Sequence, residues 1–287
     1  RDRKLLITER NYWKKFYLGF TNFLYIKKDC YDNYVGNVIK IIRGFFGYLN
    51  KDLAIYTSQF YKKFYVCKEE IPIVTLLPEQ LQFLILNAEF ESGLTKSLQK
   101  VKDIFVFGCT VALRVSDLFS IKVTDFEYVR DCYYLPVQTI KTNTPIRIKL
   151  PGYAVVIMNK FKKGKRGNAK LFPPIPAMRF NKQIKVIAEK ADWTGLVGKT
   201  RSKRGVVFEK FSEKAGQQYR FCDLLSSHTM RRTAITTMLM LGMKEHVVKR
   251  ISGHSDNSRS FGRYVNLVQS YVDNEVDVLF NKLINMR

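Results

Sequence analysis

The sequence predicts a mainly α protein with one small antiparallel β-sheet, an α+β fold in two domains. Three features carry the prediction. Apolar residues recur at helical spacing through most of the chain, β-patterned residues gather in one stretch between 121 and 151, and a proline-punctuated extended segment separates two helical regions near residues 71 to 77. With 287 residues, 46% of them hydrophobic, the chain has enough apolar material for one or two ordinary cores.

In residues 31 to 50, Val35, Val38, Ile41, Ile42, Phe45, Phe46 and Leu49 fall at helical spacing, with Lys40 and Arg43 on other faces, which predicts an amphipathic helix. The flanking stretches NYWKKFYLGFTNFLYIKK and LAIYTSQFYKKFYV mix aromatic residues with lysines, as in a small helical bundle that presents basic side chains. The segment KEEIPIVTLLPEQL marks the boundary, so residues 1 to 72 and 73 to 287 are the predicted domains. Pro78 opens a new helix at its first position. KVKDIFVFGCTVALRVSDLF reads as a buried helix ending near Arg114, and short strands joined by turns follow, with Lys141 at a hairpin tip. Helical patterns return at 151 to 162, 177 to 191, 228 to 241 and 244 to 251.

The 49 Lys and Arg outnumber the 25 Asp and Glu, a net charge of +24. Such an excess makes nucleic acid the leading partner, with mere solubility or a membrane surface as the alternatives. Two Gly-containing basic stretches are read as mobile phosphate-touching loops or plain solvated loops: FKKGKRGN, with Lys162, Lys163, Lys165 and Arg166, and GKTRSKRG, with Lys199, Arg201, Lys203 and Arg204. Gly198, Lys199 and Thr200 suggest a P-loop, but the glycine that motif needs five residues earlier is Trp193. Cys30, Cys67, Cys109, Cys132 and Cys222 show no metal or disulfide spacing, and Cys109 in an apolar run is read as core filling. No apolar stretch reaches the roughly 18 to 20 residues of a membrane span and no signal peptide is evident, so a cytoplasmic protein is expected. The chain begins at Arg1, which is compatible with a missing upstream piece.

Chemistry concentrates in HTMRRTAITTMLMLGMKEHVVKRISGHSDNSRSFGRYV, which holds all three histidines. His228 and Arg231, three apart at a helix start, share a face and can reach one group. His254 follows in a Gly253 turn, and Tyr264 lies ten residues beyond. Singly, each has a bland reading: a core tyrosine, a solvated arginine. His246 is read as a surface residue.

Together they resemble the tyrosine recombinases, phage and conjugative-transposon integrases in particular, whose motif runs His, two residues, Arg, then Gly-His, then a nucleophilic Tyr. ALRVSDL at 112 to 118 resembles the family's first-arginine box, and TIKTNTPIRIKLP its hairpin lysine and following strand. The boxes cover residues 78 to 266, while residues 1 to 72 resemble the family's helical, SAM-like core-binding domain. The spacing of ten between His254 and Tyr264 departs from the commoner nine, which leaves Tyr271 as a competing nucleophile.

The resemblance implies a C-shaped clamp on double-stranded DNA that cleaves one strand per protomer through a 3′-phosphotyrosyl ester. It implies that Arg114, Arg231 and His254 hold the scissile phosphate, that Lys141 and His228 handle protons, and that Tyr264 attacks. The physical case agrees, because forked, always-charged guanidinium groups suit a phosphoryl transition state and neighbouring cations favour phenolate. Asp117, one turn from Arg114, either orients that arginine or makes a simple helix ion pair. The same implication extends to no metal or nucleotide cofactor, a homo-oligomer on DNA that is tetrameric in synapsis, DNA-bending or excision accessory factors, and a bacterial, nucleoid-associated, mobile-element setting. An arm-binding domain before Arg1 stays open, as do two other readings: a type IB topoisomerase-like enzyme, and a non-catalytic DNA-binding accessory protein of the same fold. Finally, Leu267, Val268, Tyr271, Val272, Val276, Leu279, Phe280, Leu283 and Ile284 form a broad apolar stripe, predicting a tail helix of roughly 18 residues, about 27 Å, that starts near 267. Its face packs either on its own domain or, as the resemblance supports, on a neighbouring protomer.

Overall fold

The computed structural model describes residues 3–138, 145–212, 216–255 and 257–284. Helices α1 (Arg3–Asn22), α2 (Asp32–Lys51), α3 (Pro78–Leu86), α4 (Ala88–Ser92), α5 (Lys96–Val111) and α6 (Val115–Ser120) come first. Strands β1 (Glu127–Val129), β2 (Cys132–Gln138) and β3 (Pro145–Lys149) follow, then α7 (Gly152–Lys162) and α8 (Ala177–Lys190). Strands β4 (Leu196–Val197), β5 (Thr200–Lys203), β6 (Val206–Glu209) and β7 (Tyr219–Arg220) precede α9 (Phe221–Leu224), α10 (Ser227–Met240), α11 (Glu245–Ser252) and α12 (Arg259–Ile284). The fold is mainly α with small antiparallel sheets. No helix among the described residues is long and apolar enough to cross a membrane.

The chain divides into two compact units, Arg1–Pro72 with Val197–Tyr219, and Ile73–Leu196 with Arg220–Arg287. In the first, Val35 and Ile39 of α2 are fully buried against Leu24, Tyr25, Tyr61 and Phe64, with Trp13 edge-on to Phe46 at 5.0 Å. Only part of the expected stripe on α2 is inward: Ile41 and Phe45 are exposed, because a broad run of apolar residues exceeds the arc that the small bundle covers. A short turn of 3-10 helix, Gln59–Lys63, replaces the helix that the aromatic and lysine pattern there suggests. Gly36 lies where any Cβ would collide with the Cys67 carbonyl oxygen, so the bundle closes only on glycine.

Segment 197–219 corrects two expectations. GKTRSKRG, read as a loop, forms much of the β5–β6 hairpin, paired from Thr200↔Glu209 to Lys203↔Val206. Its turn places Arg204 (φ 54°) and Gly205 (φ 79°) in the left-handed region that tight hairpins require. The segment also belongs with the first unit, not the second as the sequence suggests. Two carboxylates hold it there: Asp32 accepts the backbone N–H groups of Arg204 at 2.7 Å and Gly205 at 2.9 Å, and buried Glu69 accepts Arg201 at 2.7 Å and the Ser202 N–H at 2.6 Å.

In the second unit α5 is the central element, with Leu98, Val111 and the whole run Val101–Cys109 buried among α3, α7, α8 and α10. Cys109 is buried there as filler, and the dry surroundings push its thiol up. The three-stranded sheet runs β1-β2-β3, and Leu135, Ile146 and Ile148 face the core. The tail also differs from expectation: α12 begins at Arg259, ahead of Tyr264, and continues unbroken for 26 residues. Gly262 does not break it, because a single exposed glycine costs only about 1 kcal/mol in a helix and Phe261 beside it is fully buried.

Candidate active site

Three chain reversals converge at one end of α10. The first is at the end of α5, where Ala112 adopts φ 55°, ψ 17°, a left-handed conformation that is unfavourable for any residue with a Cβ. Its carbonyl is thereby turned out to accept Arg231 Nη1 at 2.8 Å. Two residues on, Arg114 caps the start of α6, and its Nη1 is buried with no hydrogen-bond partner among the described residues. A buried guanidinium donor with nothing to bond is costly unless an acceptor arrives from outside.

The second reversal is the start of α10. Ser226 N–H donates to Thr229 Oγ1 at 3.0 Å and Ser227 N–H to Asn181 Oδ1 at 2.8 Å, which fixes the first turn. This turn exposes His228 and sets Arg231 one turn deeper. The third is Gly253, left-handed at φ 63°, which ends α11 and turns the chain back. His254 N–H closes the cap on the Lys249 carbonyl at 2.9 Å. The imidazole then lies 3.3 Å (Nε2) and 3.4 Å (Nδ1) from Arg231 Nη2, and Nδ1 is 2.7 Å from Ser252 Oγ.

Tyr264, on the second turn of α12, packs beside this group. Its ring centroid is 6.2 Å from that of His254 and 6.2 Å from that of Phe261, and it borders the cluster of Ala112, Ala234, Ile235, Val248 and Phe261. Burial and then Arg114 lower Arg231 to about 10, with Tyr264 and Asp117 opposing, so it stays charged at neutral pH. Burial, then Arg231, Arg114 and Lys249, push His254 down to about 4, so its ring is neutral. The arrangement is a half-buried cationic pocket with an unsatisfied donor, a neutral imidazole and a phenol at its edge. It can receive an anion and present an oxygen nucleophile to it.

A family model described as the phage integrase family matches residues 86–270. The chain belongs to the phage integrase family. No curated protein matches it by sequence. Among solved structures, XerH site-specific recombinase bound to palindromic difH substrate in a post-cleavage complex aligns with a TM-score of 0.62 at 12% identity, over 92% of this chain and 72% of that one. The Tn1549 transposon integrase in complex with circular intermediate DNA gives 0.57 at 17% identity, over 88% and 79%. A lambda integrase dimer bound to a COC′ core site gives 0.54 at 14%, over 92% and 72%. At these identities the likeness is one of fold.

Within this integrase the structure brings together Arg114, Arg231, His254 and Tyr264, with His228 one turn from Arg231 and buried Asp117 acting on Arg231 through its charge. Lys141 lies outside the described residues; the strands flanking it end with Gln138 opposite Pro145. Tyr271 follows Tyr264 by seven residues on α12, about 10.5 Å along the helix axis. His246 is exposed on α11, away from the constellation in register.

The basic residues singled out from sequence divide. Lys40, Lys163 and Arg166 are exposed and Lys162 is half-buried. Lys165 instead bonds the carbonyls of Lys170 at 3.0 Å and Leu171 at 2.6 Å, and Arg43 donates to the Phe64 carbonyl at 3.4 Å. Arg201, Lys203 and Arg204 bond Glu69, Asp29 and Asn22, and Lys199 lies 4.6 Å over the Tyr219 ring. Their charge serves the first unit's own packing, which composition could not reveal. Two contributors escaped the sequence altogether: the Ala112 carbonyl, since alanine gives no signal for a left-handed turn, and Ser252, whose only trace was its place before Gly253.

Proposed function

We propose that this integrase is a site-specific DNA recombinase of a mobile element that breaks and rejoins strands through a 3′-phosphotyrosyl intermediate. The observation that carries the reading is the buried Arg114 Nη1, without a partner among the described residues, beside the Arg231, His254 and Tyr264 group: a pocket with room for one anionic acceptor. A scissile phosphodiester is that acceptor. XerH, the Tn1549 integrase and lambda integrase are each described in complex with DNA, which supports DNA as the substrate here.

In this reading Arg114 and Arg231 take the nonbridging oxygens, where forked donors in a half-dry site meet charge that grows in the transition state. Tyr264 loses its proton toward His228, its oxygen attacks phosphorus, and the phosphorus–O5′ bond breaks. Lys141 supplies the proton to the leaving 5′ oxygen. The ester conserves the broken bond, so a second strand's 5′ hydroxyl reverses the step and frees Tyr264. Asp117 positions the two arginines through its buried charge.

A homo-oligomer on DNA fits better than an enzyme that acts alone, because Val272, Val276 and Phe280 stand exposed along the outer half of α12. The test is cleavage of a nicked suicide substrate followed by mapping of the DNA-linked peptide. An adduct on Tyr264, lost in Tyr264→Phe and kept in Tyr271→Phe, is the expected result. An adduct on Tyr271 moves the nucleophile, and none from any tyrosine leaves only a DNA-binding protein of this fold.

A further inference from the structure

Ser252 is the last residue of α11 and is fully buried. Its Oγ lies 2.7 Å from the Val248 carbonyl, 3.3 Å from the Lys249 carbonyl and 2.7 Å from His254 Nδ1. A serine hydroxyl has one proton, and carbonyl oxygens only accept. Were that proton aimed at Nδ1, Oγ and the Val248 oxygen would face each other at 2.7 Å with no hydrogen between them. The proton therefore goes to Val248, and Nδ1 must be the donor to Oγ. In a neutral ring this leaves Nε2 with its lone pair, 3.3 Å from Arg231 Nη2, which can only donate. Every group in the chain then has its role: Arg231 donates to Nε2, Nδ1–H to Ser252, and Ser252 to Val248.

We propose that Ser252 is a positioning residue for strand cleavage, holding His254 as the Nδ1–H tautomer with Nε2 turned to Arg231 and the phosphate pocket. The inference rests on the cleavage reading given above. It goes further by saying how the histidine is used. Among the described residues, Arg114 at the start of α6, Arg231 of α10, Lys249 of α11 and Tyr264 of α12 are charged or titratable groups around the ring, with Asp117 acting on Arg231, and burial together with the three cations keeps the ring neutral while the pocket is empty. A phosphodiester brings a negative charge to that side. Nε2 then takes one proton from solvent and donates to a phosphate oxygen, while Nδ1–H stays on Ser252. An acceptor at Oγ suits the neutral and protonated rings alike, so the imidazole need not turn when it gains its proton.

A purely structural serine would also bond back to the helix carbonyl, as serines near helix ends do. The two roles part in the histidine's tautomer. The chain has three histidines, so long-range proton–nitrogen NMR spectra of the 15N-labelled full chain can be assigned with His228→Gln and His246→Gln. For His254 in the free protein the expected pattern is a pyrrole-type Nδ1 and a pyridine-type Nε2. In Ser252→Ala the pattern should invert or average, and single-turnover cleavage of the nicked substrate should fall by roughly 10-fold or more, the scale on which orienting partners of functional histidines act. Ser252→Thr, which keeps the hydroxyl, should restore both. A pyridine-type Nδ1 in the unaltered protein overturns the proposal, as does Ser252→Ala with unchanged tautomer or unchanged cleavage. The tautomer is read without DNA, so it stands even if Tyr264→Phe shows the cleavage reading to be wrong.

Discussion

Arg231 and Ala112 are joined by a hydrogen bond of 2.8 Å from Nη1 to the carbonyl, and this bond ties α10 to the left-handed turn that aims Arg114. The strained alanine, at a cost of about 1–2 kcal/mol, sits where one carbonyl can orient one arginine and the chain can deliver another two residues later. Arg231 thus spends one nitrogen on the backbone and keeps Nη2 for the pocket. A lysine cannot do both, because its single ammonium lacks the planar fork. Arg231→Lys should fold and bind DNA but lose cleavage by roughly 100-fold or more, the scale of removing one preorganised donor. Single-turnover cleavage measured beside a thermal melt checks this, and near-normal cleavage removes the arginine cage from the mechanism.

The neutral state of His254 gives a pH signature. Unfolded, a histidine binds its proton below about 6.5, whereas the folded ring resists until about 4. Between these values the unfolded chain holds more protons, so this group's contribution to stability is complete above about 6.5 and is lost as the pH falls toward 4. Other groups titrate in the same range, so the comparison is with His254→Asn. The stability of the unaltered protein minus that of the variant, from denaturant unfolding, should decline from pH 7 to pH 4. A difference that stays flat or grows on acidification would show that the ring is not held neutral.

Two glycines make a graded test of packing. At Gly36 a new Cβ meets the Cys67 carbonyl oxygen, which is backbone and cannot step aside. At Gly108 it meets the side chain of Met230, which is flexible although buried. Gly36→Ala should cost more than about 3 kcal/mol, beyond the usual range of overpacking, and Gly108→Ala roughly 1–3 kcal/mol. Urea unfolding of both variants decides it, and an equal or reversed order would mean that the first unit closes some other way.

The contrast between helices and turns explains how much of this molecule was legible beforehand. Helices α2, α7, α8, α10 and α11 were readable because each sheds apolar surface on one side, and that demand is written locally at a period of 3.6. Pro78 and Gly253 marked a start and a stop by their backbone chemistry. Arg114, His228, Arg231, His254 and Tyr264 were legible as a pattern of residue types, four of which the structure gathers beside one another. What stayed hidden was tertiary. Asp32 and Glu69 look like ordinary surface acids, yet they recruit a hairpin some 130 to 170 residues away in sequence, Asp32 through backbone N–H groups and Glu69 through Arg201, which thereby leaves the pool of free cations. Left-handed Ala112 gives its carbonyl to Arg231, a partner 119 residues further on.

The tail yields the last prediction. The described apolar side chains of helix α12 differ along its length. Phe261, Tyr264 and Val265 pack into the cluster with Ala112, Ala234, Ile235 and Val248, so the first two turns belong to the catalytic unit. Beyond them Val272, Val276 and Phe280 recur every four residues, and all three are exposed. Three apolar side chains on one face of a helix, left in water, mark a surface that wants a partner. The partner proposed is a second copy of the chain. A neighbour that seats this face also steadies the helix carrying Tyr264, which would restrain cleavage by a lone subunit. Truncation after Val268 keeps the packed turns and removes these three exposed residues. The shortened protein should therefore melt within a few degrees of the full chain and bind a single site normally, yet fail to bring two sites together, with recombination lost far more than binding. Thermal unfolding and two-site complex formation on the same preparation test the pair of expectations. A collapsed melting transition would make the outer half a core element of its own subunit, and normal synapsis would send the exposed face to some other partner.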